Sequence, residues 1–207
     1  MESKKNQNLK IKAILLGESG VGKTNLINVA AGHKFEENSS STYINSFVEK
    51  VFINNKQKYI LQIWDTIGQE KFRPLTRIFF KDAKIVIFVY DKSDQNSYKN
   101  LKYWTDEVTK ILGDDIIKAI VGNKADLDEE EVDENEAREF AKSINSKFKM
   151  TSAKKDSKGF IRLLNELLDD YLLKSKRNTD NNNNKISLDT EKHKDLKKNG
   201  KNENICC

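Results

Sequence analysis

The chain has 207 residues, of which 37% are apolar and 33% charged, and its formal net charge is +5. This length suffices for one well-buried domain with a polar remainder. No apolar run approaches the ~20 residues that span a bilayer, and the first ten residues lack the apolar core of a secretory signal, so we expect an intracellular protein.

The basic excess is concentrated near the carboxyl terminus. Residues 174–205 contain nine Lys or Arg and five Asp or Glu, a net of +4, which leaves +1 of the total for the rest of the chain. A body so close to neutral does not have the charge of a nucleic-acid-binding surface.

Strand-like and helix-like segments alternate along residues 9–173, which predicts an α/β fold with a mostly parallel sheet. The pattern predicts strands at 9–17, 46–53, 58–65, 83–91, 116–123 and 146–153. It predicts helices at 24–32, 97–112, 134–144 and 157–173. Asn54-Asn55 separates the second and third strands and favours a hairpin, so this pair is expected to be antiparallel.

Three regions are predicted: an extension at 1–8, a globular domain at 9–173 and a tail at 174–207. The tail is rich in asparagine and lysine, and we expect it to be disordered. The two cysteines, Cys206 and Cys207, are the last two residues, so no loop-closing disulfide is possible.

A phosphate-binding loop follows the first strand. Residues 17–24 match G-x-x-x-x-G-K-[ST], between a predicted strand and a predicted helix. Its backbone N–H groups would converge on phosphate oxygens at the positive end of the helix. Lys23 would reach the β- and γ-phosphates, and Thr24 would bind Mg²⁺. A glycine-rich turn with a chance lysine is the alternative, which the strand and helix around the motif disfavour.

A second polar cluster, Asn123-Lys124-Ala125-Asp126, follows another buried strand. Asp126 could accept two hydrogen bonds from guanine, whereas adenine offers no matching pair. A site of this kind discriminates by about 10⁴ or more, because the wrong base leaves a buried carboxylate unpaired. By itself the cluster is an ordinary polar loop, and the phosphate-binding loop is what favours a nucleotide site.

With these motifs in order, residues 9–173 resemble a small GTPase of the Ras superfamily. The resemblance implies a phosphate-loop NTPase fold with a six-stranded sheet and five helices, and GTP, GDP and Mg²⁺ as ligands. It implies nucleotide contacts on the phosphate side by Gly17, Ser19, Gly20, Val21, Gly22, Lys23, Thr24 and Asn25. It implies contacts on the guanine side by Phe35, Asn123, Lys124, Asp126, Ser152, Ala153 and Lys154.

The same resemblance gives roles to the segment WDTIGQE (64–70) and to residues before it. Asp65 would hold Mg²⁺ through a water, together with Thr24 and with Thr42, which would also sense the γ-phosphate. Gly68 would donate its N–H to the γ-phosphate, and Gln69 would orient the attacking water as the catalytic residue. Phe35 as a core residue and Thr42 as a loop hydroxyl are the alternatives.

Within the superfamily the chain resembles Rab proteins. The terminal Ile-Cys-Cys matches their double-cysteine ending, which implies two geranylgeranyl groups on Cys206 and Cys207. Ser19 also matches, as do the aromatic residues Phe47, Trp64 and Phe79 of an effector surface, which would otherwise be core residues.

A Rab-like protein is expected to be a monomer on the cytoplasmic face of a vesicle or organelle membrane, with a cytosolic pool. Its expected partners are effectors, an exchange factor, a GTPase-activating protein, a GDP-dissociation inhibitor and a prenylation escort, and no nucleic acid.

Two residues depart from the family pattern, since Ile67 replaces the usual alanine and Ile44 replaces the usual Rab glycine; Pro74 also limits helix formation. The main prediction is a GTP/GDP switch in vesicle trafficking with slow intrinsic hydrolysis. One alternative is a GTP-loaded membrane scaffold whose hydrolysis Ile67 impairs. A phosphate-loop ATPase or small-molecule kinase is the other.

Overall fold

The computed structural model describes residues 9–37, 47–54, 56–66 and 77–198, the last 20 of them as backbone alone. The chain divides into two units, Met1–Leu168 and Asp169–Cys207, and the fold below is that of the first. Within the described residues, no helix combines the length and apolar character that crossing a membrane requires.

A six-stranded sheet forms the centre of the first unit, in the order β2-β3-β1-β4-β5-β6. All neighbouring strands are parallel except β2 and β3, which are antiparallel. The strands are β1 Leu9–Leu16, β2 Phe47–Asn54, β3 Gln57–Trp64, β4 Ala83–Asp91, β5 Ile117–Asn123 and β6 Lys147–Met150. The predicted α/β fold class, the mostly parallel sheet and the antiparallel pair are confirmed.

The burial of each strand follows its sequence. Strand β4 reads AKIVIFVYD, and all of its residues but Lys84 are buried, as expected of a central strand covered on both faces. Strand β2 lies at the edge and alternates between exposed and more buried residues. The largest fully buried side chain, Trp104, packs in a core cluster with Phe88, Tyr90 and Leu101.

The helices are α1 Lys23–Ala31, α2 Gln95–Lys99, α3 Leu101–Leu112, α4 Glu134–Ser143 and α5 Ser157–Lys198, with a 3₁₀ turn at Arg77–Phe80. The single helix predicted at 97–112 is two segments that meet at Asn100, and the first begins two residues earlier than predicted. Asp94 explains the earlier start, because its side chain accepts a hydrogen bond from the Asn96 N–H and caps the helix.

Helix α5 continues beyond the end predicted at Leu173. Its described backbone is helical as far as Lys198. No glycine or proline occurs between residues 174 and 198, so the sequence contains no strong helix breaker in this stretch. The asparagine-rich composition suggested an earlier end than the backbone shows.

The predicted hairpin turn included Asn54, but Asn54 is the last residue of β2 and pairs with Gln57 of β3. Lys56 has a φ of 64°, the left-handed conformation that tight hairpin turns require. The parallel strands place their carboxyl ends at one edge of the sheet, and the loops that follow β1, β3, β4, β5 and β6 meet there.

Candidate nucleotide-binding site

The loop after β1 turns on glycines where no other residue fits. A Cβ on Gly17 would lie 2.1 Å from the Val89 carbonyl oxygen, and one on Gly22 would lie 2.4 Å from the Asn123 Nδ2. Gly22 has a φ of 92° and immediately precedes α1. The loop therefore packs against the strand and loop beside it and leads directly into the N-terminus of a helix, where anions are favoured.

Lys23 is the first residue of α1, and its side chain extends back across this loop. Its Nζ donates to the carbonyl oxygens of Gly17 at 2.9 Å and Glu18 at 2.8 Å, and the residue is 6% exposed. Burial lowers the pKa of Lys23 to about 8, although the charges of Asp65 and Glu18 oppose the shift. At neutral pH the group is therefore a largely desolvated cation, which suits it to phosphate oxygens.

Thr24 and Asp65 form an oxygen pair next to this cation. The Thr24 Oγ1 donates to the Asp65 Oδ2 at 2.7 Å, and Asp65 is 2% exposed. Mg²⁺ takes few protein oxygens and completes its shell with waters and substrate phosphates. A hydroxyl beside a buried carboxylate therefore fits Mg²⁺, although the described residues contain no group of three His, Cys, Asp or Glu side chains that could hold a metal ion.

Asn123 connects the phosphate-binding loop to the loop after β6. Its Nδ2 donates to the Val21 carbonyl oxygen at 2.8 Å, and its Oδ1 accepts from the Ala153 N–H at 3.2 Å. Asn123 is 1% exposed. Both ends of one buried amide are thus satisfied by two loops that are distant in sequence, which fixes their separation.

Asp126 and Ser152, which the sequence analysis predicts on the guanine side, lie in contact. The Ser152 Oγ donates to the Asp126 Oδ1 and also accepts from the Lys155 N–H at 2.9 Å. The backbone brings the two loops together, since the Ala125 N–H donates to the Thr151 carbonyl oxygen at 3.0 Å. The Asp126 carboxylate is thereby held in one orientation.

Lys124 has a left-handed backbone, with a φ of 62°, and its Nζ lies 2.6 Å from the Asp91 Oδ2. The sequence analysis missed Asp91. The signal was an acidic residue at the carboxyl end of a buried strand, where site residues are expected.

Phe35 lies on the same side of the site. It is partly buried, and the Lys154 Nζ is 5.9 Å from the centre of its ring. Lys154 also forms an ion pair with Glu37 at 3.0 Å. The structure therefore brings together Phe35 and the loop after β6, both of which were predicted to contact the guanine base.

Phe47, Trp64 and Phe79 form one aromatic cluster. The rings of Phe47 and Trp64 stack with centroids 4.7 Å apart, and those of Trp64 and Phe79 are 5.9 Å apart. Phe47 is 44% exposed, so the cluster reaches the surface and is not plain core.

A second contact that the sequence did not reveal joins Trp104 to the phosphate-binding loop, where its Nε1–H donates to the Glu18 Oε1 at 3.2 Å.

Ser19 and Gly20 are exposed at the tip of the phosphate-binding loop. Other predicted site residues lie outside the described residues: Thr42, Gly68, Gln69, Cys206 and Cys207. The two departures from the family pattern, Ile44 and Ile67, and Pro74 lie outside them as well.

The fold and these loops define a phosphate-loop nucleotide-binding domain. Residues 12–170 match the model of the Ras family. The chain is 41% identical over 160 residues to Ras-related protein Rab-21 of Geodia cydonium, covering 77% of this chain and 69% of the relative. It is 40% identical over 157 residues to Rab-21 of Homo sapiens, covering 75% and 69%.

The GTP-binding protein ypt1 of Schizosaccharomyces pombe is 40% identical over 144 residues, covering 69% of this chain and 71% of the relative. The chain therefore belongs to the Ras family and, within it, to the Rab family of small GTPases. This family membership confirms the resemblance seen in the sequence.

Proposed function

We propose that the chain is a Rab-type switch that binds GTP and GDP, hydrolyses GTP slowly and recruits effectors to a membrane in vesicle trafficking. The hydrogen bonds of Asn123 carry the proposal, because they tie the loop that would hold phosphate to the loop that would hold guanine. A guanine nucleotide would then span both loops.

Base selection is assigned to Asp126. Ser152 holds one carboxylate oxygen, and accepting from guanine would satisfy the carboxylate further. Asp126→Ala should remove the preference for GTP over ATP in a competition for fluorescent GDP. Asp128→Ala, at an exposed position two residues on, is the matched control and should keep it. If equimolar ATP displaces GTP from the wild type, the guanine assignment is wrong.

Hydrolysis needs positioning and charge neutralisation more than covalent chemistry. Thr24, Thr42 and Asp65 would hold Mg²⁺, which when bound neutralises charge on the phosphates. Lys23 would place a desolvated cation on the β- and γ-phosphate oxygens. Gly68 would donate to the γ-phosphate and Gln69 would orient the attacking water, so Gln69→Leu should abolish hydrolysis but retain binding.

Ile67 decides between the switch and a GTP-loaded scaffold. A branched side chain beside the γ-phosphate would crowd the approach of Gly68 and Gln69. Single-turnover hydrolysis by the wild type and by Ile67→Ala compares the two proposals. Turnover by the alanine variant alone would favour the scaffold.

Membrane attachment is assigned to Cys206 and Cys207, the last two residues of the sequence. One lipid chain binds membranes marginally and two bind stably. We expect mass spectrometry to find two geranylgeranyl groups on chains from the membrane fraction, and Cys206→Ser with Cys207→Ser to shift the protein to the cytosol. Unmodified thiols in the membrane fraction would refute the assignment.

Effector recognition is assigned to the cluster of Phe47, Trp64 and Phe79. An exposed aromatic ring stacked on a second ring is typical of binding surfaces. Affinity capture with the GTP-loaded Gln69→Leu chain should retain partners that the GDP-loaded wild type does not. Adding Phe47→Ala to the GTP-loaded Gln69→Leu chain should lose those partners.

A further inference from the structure

The side chain of Asn25 joins α1 to the segment that follows this helix. Asn25 comes directly after Thr24 and is 7% exposed. Its Nδ2 donates to the Glu36 carbonyl oxygen at 2.9 Å, and its Oδ1 accepts from the Glu36 N–H at 3.3 Å. One side-chain amide thus pairs with both backbone groups of one residue, as a neighbouring strand would.

The residues on either side of Glu36 face the guanine side of the site. Phe35 precedes it, with its ring 5.9 Å from the Lys154 Nζ, and Glu37 follows it in an ion pair with the same lysine. Segment 35–37 is therefore attached twice: at Glu36 by the buried Asn25, and at Glu37 by the exposed Lys154. Water screens the second contact, so Asn25 is the stronger attachment.

We propose that Asn25 is a positioning residue that slows nucleotide release by holding segment 35–37, and with it the Phe35 ring, against the guanine side of the site. This inference rests on the proposed function, since it requires a guanine nucleotide beside Phe35. The Asn25 side chain acts through the Glu36 backbone.

Because Glu36 is exposed, the proposed role of Asn25 in nucleotide release can be distinguished from a role in folding. Glu36 is an exposed residue, so when Asn25 is removed water can replace its amide at the Glu36 N–H and carbonyl. The apolar side chains of α1, such as Leu26, remain buried in the core. Losing Asn25 should therefore free the segment while the domain stays folded.

The test measures release of fluorescent N-methylanthraniloyl-GDP from the full chain in Mg²⁺, chased with excess GDP. We expect Asn25→Ala to release it about tenfold faster or more, the change that ~1.4 kcal/mol produces. Asn25→Asp can still accept from the Glu36 N–H but cannot donate to the carbonyl, so it should also release faster. Glu37→Gln should change the rate by about threefold at most.

Asn28→Ala is the matched control on the same helix. Asn28 accepts hydrogen bonds from Gly32 and His33 through its backbone carbonyl, which the substitution keeps. This variant should release the nucleotide at the wild-type rate.

Hydrogen exchange gives a readout that a purely structural role would not move. The Glu36 amide should be protected in the wild type and in Asn28→Ala, and unprotected in Asn25→Ala. If Asn25→Ala does not fold, Asn25→Asp and the protection of Glu36 in the wild type decide.

A wild-type chain that binds no guanine nucleotide contradicts the proposed function itself. A wild type that binds, with Asn25→Ala releasing at the same rate, overturns this inference alone. A Glu36 amide that exchanges in the wild type as fast as in a free peptide also overturns it.

Discussion

The phosphate side and the guanine side proposed for the site are built in different ways. On the phosphate side the lysine contacts are local, since Lys23 bonds carbonyls five and six residues before it. The guanine side is assembled from distant segments, since Ser152 meets Asp126 across 26 residues and Asn123 reaches Val21 across 102. The phosphate-side lysine contacts therefore depend on the conformation of one loop, and the guanine-side contacts depend on the order of strands in the sheet.

This difference shows where the site is vulnerable. A local loop forms whenever its glycines allow the turn, but distant segments need a fixed spacing between strands β1, β5 and β6. Asn123 supplies that spacing with one buried amide. We call the Asn123 contacts with Val21 and Ala153 the junction. Substitutions at the junction should therefore lower the nucleotide affinity more than substitutions on either side alone.

The largest effect is expected from Asn123→Ala. It leaves the Val21 carbonyl and the Ala153 N–H, both in buried residues, without their partner. At about 1–3 kcal/mol for each buried group, the affinity for GDP should fall about 100-fold or more. Calorimetric titration with GDP measures it, and near wild-type affinity would show that the two sides do not depend on this residue.

Gly22→Ala should disturb the same junction from the phosphate side and lower the affinity for GDP about tenfold. Its Cβ would lie 2.4 Å from the Asn123 Nδ2, at a φ of 92°. Gly32→Ala is the control, because Gly32 has a φ of 95° but open space around its Cβ. Both should lose roughly 1 kcal/mol of stability from the left-handed backbone. If Gly32→Ala loses GDP affinity equally, backbone strain and not the junction explains the result.

Trp104→Phe should have a smaller effect, about a threefold loss of GDP affinity. It keeps most of the buried volume but removes the hydrogen bond to Glu18, which is partly exposed, so water replaces part of its contribution. Glu18→Gln still accepts that bond and should lose less. A loss in Glu18→Gln without a loss in Trp104→Phe would show that the charge of Glu18, and not the hydrogen bond from the tryptophan, supports binding.

The smallest effect concerns stability at high pH. Burial, helped by Glu136, raises the pKa of Tyr98 to about 12, above the usual 10 of an unfolded chain. Between these values the folded state keeps a proton that the unfolded state loses, so stability falls as pH rises through this window. Urea midpoints at pH 9 and 11 should differ less in Tyr98→Phe. Burial raises the pKa of Tyr90 too, so some pH dependence should remain.

Much of the fold was predictable because the strands differ in burial. The central strands are continuous apolar runs, and β4 was predicted with its observed bounds. The errors arose where local chemistry was subtle. The Asp94 cap begins α2 early, and Lys56 occupies a left-handed turn position that the sequence analysis did not consider.

The phosphate-binding loop could be predicted from the sequence alone, because glycine spacing and a following helix act over eight neighbouring residues. The alternation of strands and helices could also be predicted from the sequence, and the family that the sequence indicates predicts which residues lie on the guanine side. The contacts between distant groups became known only from the folded chain: Asn123 with Val21, Trp104 with Glu18, and Asn25 with Glu36. Such pairs depend on strand order and helix placement, which no short stretch of sequence encodes.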